Sequence, residues 1–276
     1  MPKQSARPWR DSAGDEIDEE DRGLVYDIRT MVDRRRALGL FGGVALTALL
    51  AACSTDGSVT SSASSGSTDL SEVPDETGGP YPADGSNGVN VLDDSGIVRS
   101  DIRSSFGSST TTAEGVPLTI KLTVRDAATG DVLSGAAVYL WHCDRNGDYS
   151  LYSAGAKNEN YLRGVQQVDD DGTVTFTSIF PAAYSGRWPH IHFEVYEDVA
   201  TAVASGPIVK TSQIALPKEA CEKVYATTGY EQSVRNLAQT SLASDNVFGD
   251  DQGIHQLASM SGSVSAGYTA ALTIGV

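Results

Sequence analysis

The stretch GRWPHIHFEVY, residues 186–196, places His190 and His192 one residue apart. On a strand, residues i and i+2 project from the same face, so the two imidazoles stand together as half of a metal site. The chain holds four histidines, His142, His190, His192 and His255, and two of them are spent here. Arg187 precedes the pair by three residues and Tyr184 by six. A second tyrosine, Tyr149, follows the tight Asn146-Gly147-Asp148 turn in WHCDRNGDYSLY. Tyrosine is a rare ligand for zinc or calcium. As a hard phenolate it suits Fe(III), which would also lower its pKa. Each piece has a plainer alternative. An H-x-H pair by itself is more often exposed or hydrogen-bonded than metal-bound, and a lone tyrosine is more often a rim or core aromatic.

These residues need a rigid frame, and the pattern around them predicts strands. Leu118, Ile120, Leu122 and Val124 alternate with Thr119, Lys121, Thr123 and Arg125, which is the period of a half-buried strand. AAVYLWHC (136–143) predicts a second strand, apolar on both faces. GTVTFTSI (172–179), PHIHFEVY (189–196), IVKTSQIAL (208–216) and GYTAALTIGV (267–276) predict four more. Short strands separated by Gly and Asp turns indicate an all-β sandwich. PKEACEKVYAT (217–227) predicts one short helix with Pro217 near its start. No dinucleotide fingerprint, phosphate-binding loop or nucleophile elbow is present.

The N-terminal quarter reads differently. Arg34–Arg36 precede an apolar, Gly-containing run, Ala37–Ala52, that ends at Cys53. That run is short for a membrane span and fits an export signal. The tandem arginines look like a twin-arginine signal, and Leu50–Cys53 resembles a lipobox in which Cys53 is lipidated. Residues 1–53 are therefore expected to be an N-terminal extension and signal, with Met31 a second candidate start. Residues 54–78, rich in Ser, Gly and Thr, are expected to be a disordered tether. Residues 79–276 are expected to be the catalytic domain, lipid-anchored outside the cytoplasmic membrane or secreted. The chain carries 20 Lys and Arg against 36 Asp and Glu, a net charge of −16. Such a chain lacks the basic face that nucleic acid requires. Cys143 and Cys221 are the two candidates for one disulfide; two buried thiols are the equal alternative.

Taken together, GGPYPADG, GVPLTIKLTVRDAATG, AAVYLWHCDRNGDYS, YLRGVQQVDDDGTVTF, FPAAYSGRWPHIHFEVY and KTSQIALP resemble the intradiol ring-cleavage dioxygenases of catechol, hydroxyquinol and protocatechuate. The likeness runs over about residues 78–276 and is nearest the exported bacterial members. It implies a prealbumin-like β-sandwich core with long loops and one or two short helices. It implies one Fe(III) per chain, held by Tyr149 and His190 in equatorial positions and Tyr184 and His192 in axial ones. It implies that Arg187 faces a bound catechol, that Gln213 lines the same pocket, and that Tyr81 stands near the entrance. Tyr184 would take a substrate proton on leaving the metal. Arg163, in YLRG, reads as structural support. The expected reaction opens a catechol with O2 between the two hydroxylated carbons, giving a cis,cis-muconate-type diacid. The loop between Tyr184 and His190 is shorter than in the protocatechuate enzymes. The helical N-terminal domain of the cytoplasmic catechol enzymes is missing, so a homodimer would have to use another surface. The same turns and strands also resemble prealbumin-like surface modules, which bind and do not catalyse.

Overall fold

A computed structural model describes residues 70–276. The signal, Cys53 and most of the expected tether fall outside the described residues. Eight strands form two four-stranded sheets. The first contains β1 (Pro117–Arg125), β4 (Thr173–Ile179), β7 (Ser259–Ser263) and β8 (Gly267–Gly275), in the order β4-β1-β8-β7. The second contains β2 (Ala137–Trp141), β3 (Arg163–Gln167), β5 (His190–Tyr196) and β6 (Ile208–Ala215), in the order β3-β2-β5-β6. All pairings are antiparallel except β1 with β8. The fold is all-β, as expected.

The inner faces of the two sheets make one core. Leu118, Ile120, Leu122 and Val124 of β1 join Val138 and Leu140 of β2 and Ile191, Phe193 and Val195 of β5 in it. The second sheet is also covered on its outer face. Ala83, Val91, Leu92 and Ile97, from the segment ahead of β1, pack on Tyr139, Trp141, Val165 and Tyr196. Every residue of β2 and β5 is buried for this reason, and a strand buried on both faces reads as a continuous apolar run. β5 is the exception that matters, since its outer-facing alternates are His190, His192 and Glu194.

Four expectations change. Residues 72–77, expected to belong to the tether, are part of the folded unit. The Val73 N–H donates to the Gly275 carbonyl at 2.9 Å and the Glu76 N–H to the Thr211 carbonyl at 2.8 Å. Buried Lys210 pairs with Glu72 at 2.6 Å and Asp75 at 3.2 Å. A short polar segment is held here by a partner strand that composition does not reveal. The possible disulfide is absent. Cys143 and Cys221 are free, buried thiols. They belong to different apolar clusters, one on each side of the second sheet's fold. There are three α-helices among the described residues rather than one or two: α1 (Val199–Val203), α2 (Lys218–Tyr225) and α3 (Glu231–Leu237). α1 and α3 are too short to show a helical period, and tertiary contacts stabilise helices of this length. Strands β3 and β7 were likewise not anticipated. Among the described residues no helix is long and apolar enough to cross a membrane.

Candidate metal centre

His190 and His192 project from the outer face of β5 and are each 2% exposed. Their Nε2 atoms lie 3.1 Å apart. His190 Nδ1 is 2.5 Å from the Trp188 carbonyl. A carbonyl can only accept, so Nδ1 carries the proton and the Nε2 lone pair faces inward. His192 is flanked across the sheet by Trp141 on β2 and Gln213 on β6. Its own Nδ1 is buried without a partner.

Tyr184 reaches this pair from the loop after β4, with its hydroxyl 3.0 Å from His190 Nε2. The loop is held by α3, where the Ser233 hydroxyl accepts from the Ala183 N–H at 3.0 Å and Asn236 Nδ2 donates to the Ala183 carbonyl at 2.8 Å. Tyr149 comes from the turn after β2. The Asp144 carboxylate accepts from the Asn146 and Asp148 N–H groups at 2.8 and 3.1 Å and closes that turn. Gly147 has φ +98, and a Cβ there would sit 3.4 Å from Tyr184 Cβ, so a glycine lets the two tyrosine loops approach. The Tyr149 ring lies 6.0 Å from that of Tyr184 and 6.2 Å from that of His192. Its hydroxyl is buried with no well-formed hydrogen bond.

Burial, then the Arg187 charge, holds His190 well below the ordinary imidazole range. Burial followed by His190 and Arg187 does the same to His192. Burial, then the neighbouring Tyr184, pushes Tyr149 well above 10. Without a bound cation His190, His192 and Tyr149 are thus neutral. The inward His190 lone pair, the adjacent His192 Nε2 and two phenols, one of them a buried hydroxyl with no well-formed hydrogen bond, fit a hard trivalent cation, which would deprotonate the phenols. Among the described residues no three His, Cys, Asp or Glu side chains gather as a metal site; the candidate here pairs two histidines with two phenols.

Arg187 is 1% exposed. Its Nε donates to Asp245 Oδ2 at 3.0 Å and an Nη donates to Gln213 Oε1 at 2.7 Å. Gln213 Nε2 in turn donates to the Thr77 carbonyl at 2.9 Å. Tyr81, half-buried, stacks on Tyr149 with ring centroids 4.8 Å apart. The structure therefore brings Tyr81, Tyr149, Tyr184, Arg187, His190, His192 and Gln213 into one neighbourhood. Two partners were missed from sequence. Asp245 fixes Arg187 and also accepts from the Trp188, Val247 and Phe248 N–H groups at 2.6, 2.8 and 3.1 Å. Trp141 stacks on His192. Asp245 lies 58 residues from Arg187, and no local pattern joins them.

A dioxygenase family model, Dioxygenase_C, matches residues 101–197, which include both tyrosines, Arg187 and both histidines. The chlorocatechol 1,2-dioxygenase of Rhodococcus opacus is 36% identical over 61 residues, 22% of this chain and 23% of that protein. The solved intradiol ring-cleavage dioxygenase from Tetranychus urticae superposes with a TM-score of 0.55 at 25% identity, covering 66% of this chain and 87% of that one. By the family match and this solved neighbour, the chain is similar to the intradiol ring-cleavage dioxygenases. A second solved dioxygenase, with a TM-score of 0.54 and 24% identity, shares the fold. The curated chlorocatechol relative is matched over less than a quarter of its length. The family match stops before Gln213 and Asp245, so the arginine clamp rests on its own hydrogen bonds.

Proposed function

We infer that the protein is a non-haem Fe(III) dioxygenase that opens catechol-type rings between the two hydroxylated carbons with O2. The observation that carries this reading is the convergence of Tyr149, Tyr184, His190 and His192, with buried, unpaired polar atoms on Tyr149 and His192. Those four side chains would hold one Fe(III) per chain. Bound iron would supply Lewis acidity and a template for a chelating catechol.

The protein's own groups account for the rest. Tyr184 is half-buried, while Tyr149 is 2% exposed. Tyr184, as the phenolate it would become on holding the cation, is thus the group placed to take a catechol hydroxyl proton at Oη and return to the phenol. Arg187 presents a permanent charge beside the site, held in orientation by Asp245 and Gln213, and would stabilise negative charge developing on the substrate oxygens. The Asp245 carboxylate, satisfied by three backbone N–H groups, stays committed to that guanidinium. Tyr81 and Tyr149 form an aromatic wall against which a planar ring can lie. Products are cis,cis-muconate-type diacids.

The same reading extends to location. A lipidated Cys53 would tie the enzyme to the outer face of the cytoplasmic membrane, where catechols arrive before import; labelled fatty acid recovered on the Cys53 peptide tests this.

The deciding experiment is the visible spectrum of the purified protein with iron quantified, before and after anaerobic addition of catechol. A phenolate-to-iron band at about one iron per chain, shifting with catechol, is the expected result. A folded, colourless protein that takes up no iron would return the chain to the non-catalytic prealbumin-like binding module.

A further inference from the structure

Arg163, on β3, is 1% exposed and outside the candidate metal centre. Its guanidinium donates four hydrogen bonds. Nε reaches Ser150 Oγ at 3.0 Å and an Nη reaches the Ser150 carbonyl at 3.0 Å. The other Nη reaches the Pro82 carbonyl at 3.0 Å and Tyr139 Oη at 3.1 Å. The acceptors are themselves tied down: Tyr139 Oη donates to the Pro82 carbonyl at 2.7 Å, and Ser150 Oγ donates to the Tyr161 carbonyl at 2.7 Å.

Two of the gripped residues are chain neighbours of site tyrosines. Ser150 follows Tyr149 and Pro82 follows Tyr81, and the two rings stack at 4.8 Å. The next residue in each loop is strained. Leu151 has φ 72 and Ala83 has φ 54; Leu162, just before Arg163, has φ 57. A non-glycine residue in the left-handed region persists only where its surroundings over-determine it. Three such residues around one cation identify what over-determines them. Tyr152 adds a further tie, with its ring under the guanidinium and its hydroxyl accepting from the Ala83 N–H at 2.9 Å.

We propose that Arg163 is a positioning residue that locks the Tyr149 loop to the Tyr81 loop, so that the Tyr149 hydroxyl stays fixed beside Tyr184 and the imidazoles. The proposal rests on the ferric reading for its purpose and on the hydrogen bonds for its substance. Its acceptors are carbonyls and hydroxyls spread over a plane, which a guanidinium fork spans and an ammonium cannot. Arg163→Lys keeps the charge and loses the fork. Ser150→Ala removes one acceptor and leaves the arginine.

The test is hydrogen exchange of the metal-free protein at the Tyr149, Tyr152 and Ser153 amides, which are hydrogen-bonded within the loop, against reference amides in β1. Exchange of the loop should quicken about ten-fold in Arg163→Lys and less in Ser150→Ala, with β1 unchanged. In the iron-loaded variants the visible band per iron should weaken toward that of Tyr149→Phe. Wild-type loop exchange in both variants would overturn the proposal, as would an equal rise in β1, which marks a merely global loss of stability. A wild-type protein that never takes up iron would count against the ferric reading alone, since the exchange test uses no metal.

Discussion

The indole of Trp141 lies flat on the imidazole of His192, with ring centroids 5.0 Å apart and planes within 4°. Tyr139 continues the stack beyond Trp141 at 4.9 Å. The two histidines are thus fixed in different ways. His190 is oriented by the Trp188 carbonyl, whereas His192 has no partner at Nδ1 and leans on an aromatic face. Partners behind a metal ligand commonly govern about 10–100-fold in metal affinity. Trp141→Leu should lose on the order of ten-fold in iron affinity by equilibrium dialysis. Trp141→Phe keeps a ring there and removes a buried unpaired N–H, so it should retain most of the affinity. Equal affinity in all three proteins would sink the stacking argument.

Tyr149 separates function from stability. Its buried hydroxyl has no well-formed hydrogen bond, and such a group costs about 1–3 kcal/mol. Metal-free Tyr149→Phe should therefore be more stable than wild type by roughly 1 kcal/mol in urea unfolding. The same variant should lose colour and activity when iron is offered, and the Tyr149→Phe, Tyr184→Phe double variant should be fully bleached. A destabilised Tyr149→Phe would show that the hydroxyl is satisfied in solution.

Asp245 and Arg187 form a fully buried pair. Removing one member of such a pair leaves a charge uncompensated and costs about 3–5 kcal/mol. Asp245→Ala also strips acceptors from three backbone N–H groups. We expect it to unfold at markedly lower urea. Asp245→Asn should fold, keep its iron colour, and bind catechol poorly because Arg187 is no longer held. Wild-type KM in Asp245→Asn would refute the orienting role.

Glu76 sets a pH dependence. Burial first, then Asp250, pushes its carboxyl up to about 8 from 4.5, with Gln256 and Arg187 only partly offsetting. Between those values the unfolded chain has released this proton and the folded chain retains it. The folded state thus loses stability as pH rises through that window, by an amount on the order of a few kcal/mol. Glu76→Gln should remove that slope, so its stability gain over wild type should grow from pH 5 to pH 8. A constant difference across that range would mean that Glu76 ionises normally.

Much of this architecture was readable in the chain because it depends on local period. Alternation in 118–124 and 268–274, and the two-faced apolar run of β2, follow from which faces are buried, and a strand writes that pattern into its own residues. The H-x-H spacing placed both imidazoles on one face for the same reason, and the Asn-Gly turn marked where Tyr149 leaves β2. Tertiary structure alone decided the rest. Helix α3 is seven residues long and shows no period, yet it holds the Tyr184 loop. Residues 72–77 have the composition of a linker but are recruited by β6 and Lys210. Cys143 and Cys221 could have paired until folding put them in separate clusters. Asp245 and Arg163 act over 58 and 81 residues of chain. A contact over such a separation is selected by the packed fold and leaves no periodic trace in the sequence. The chain thus specified which side chains could make the chemistry, and the packing of the loop layer on the second sheet decided how each is held.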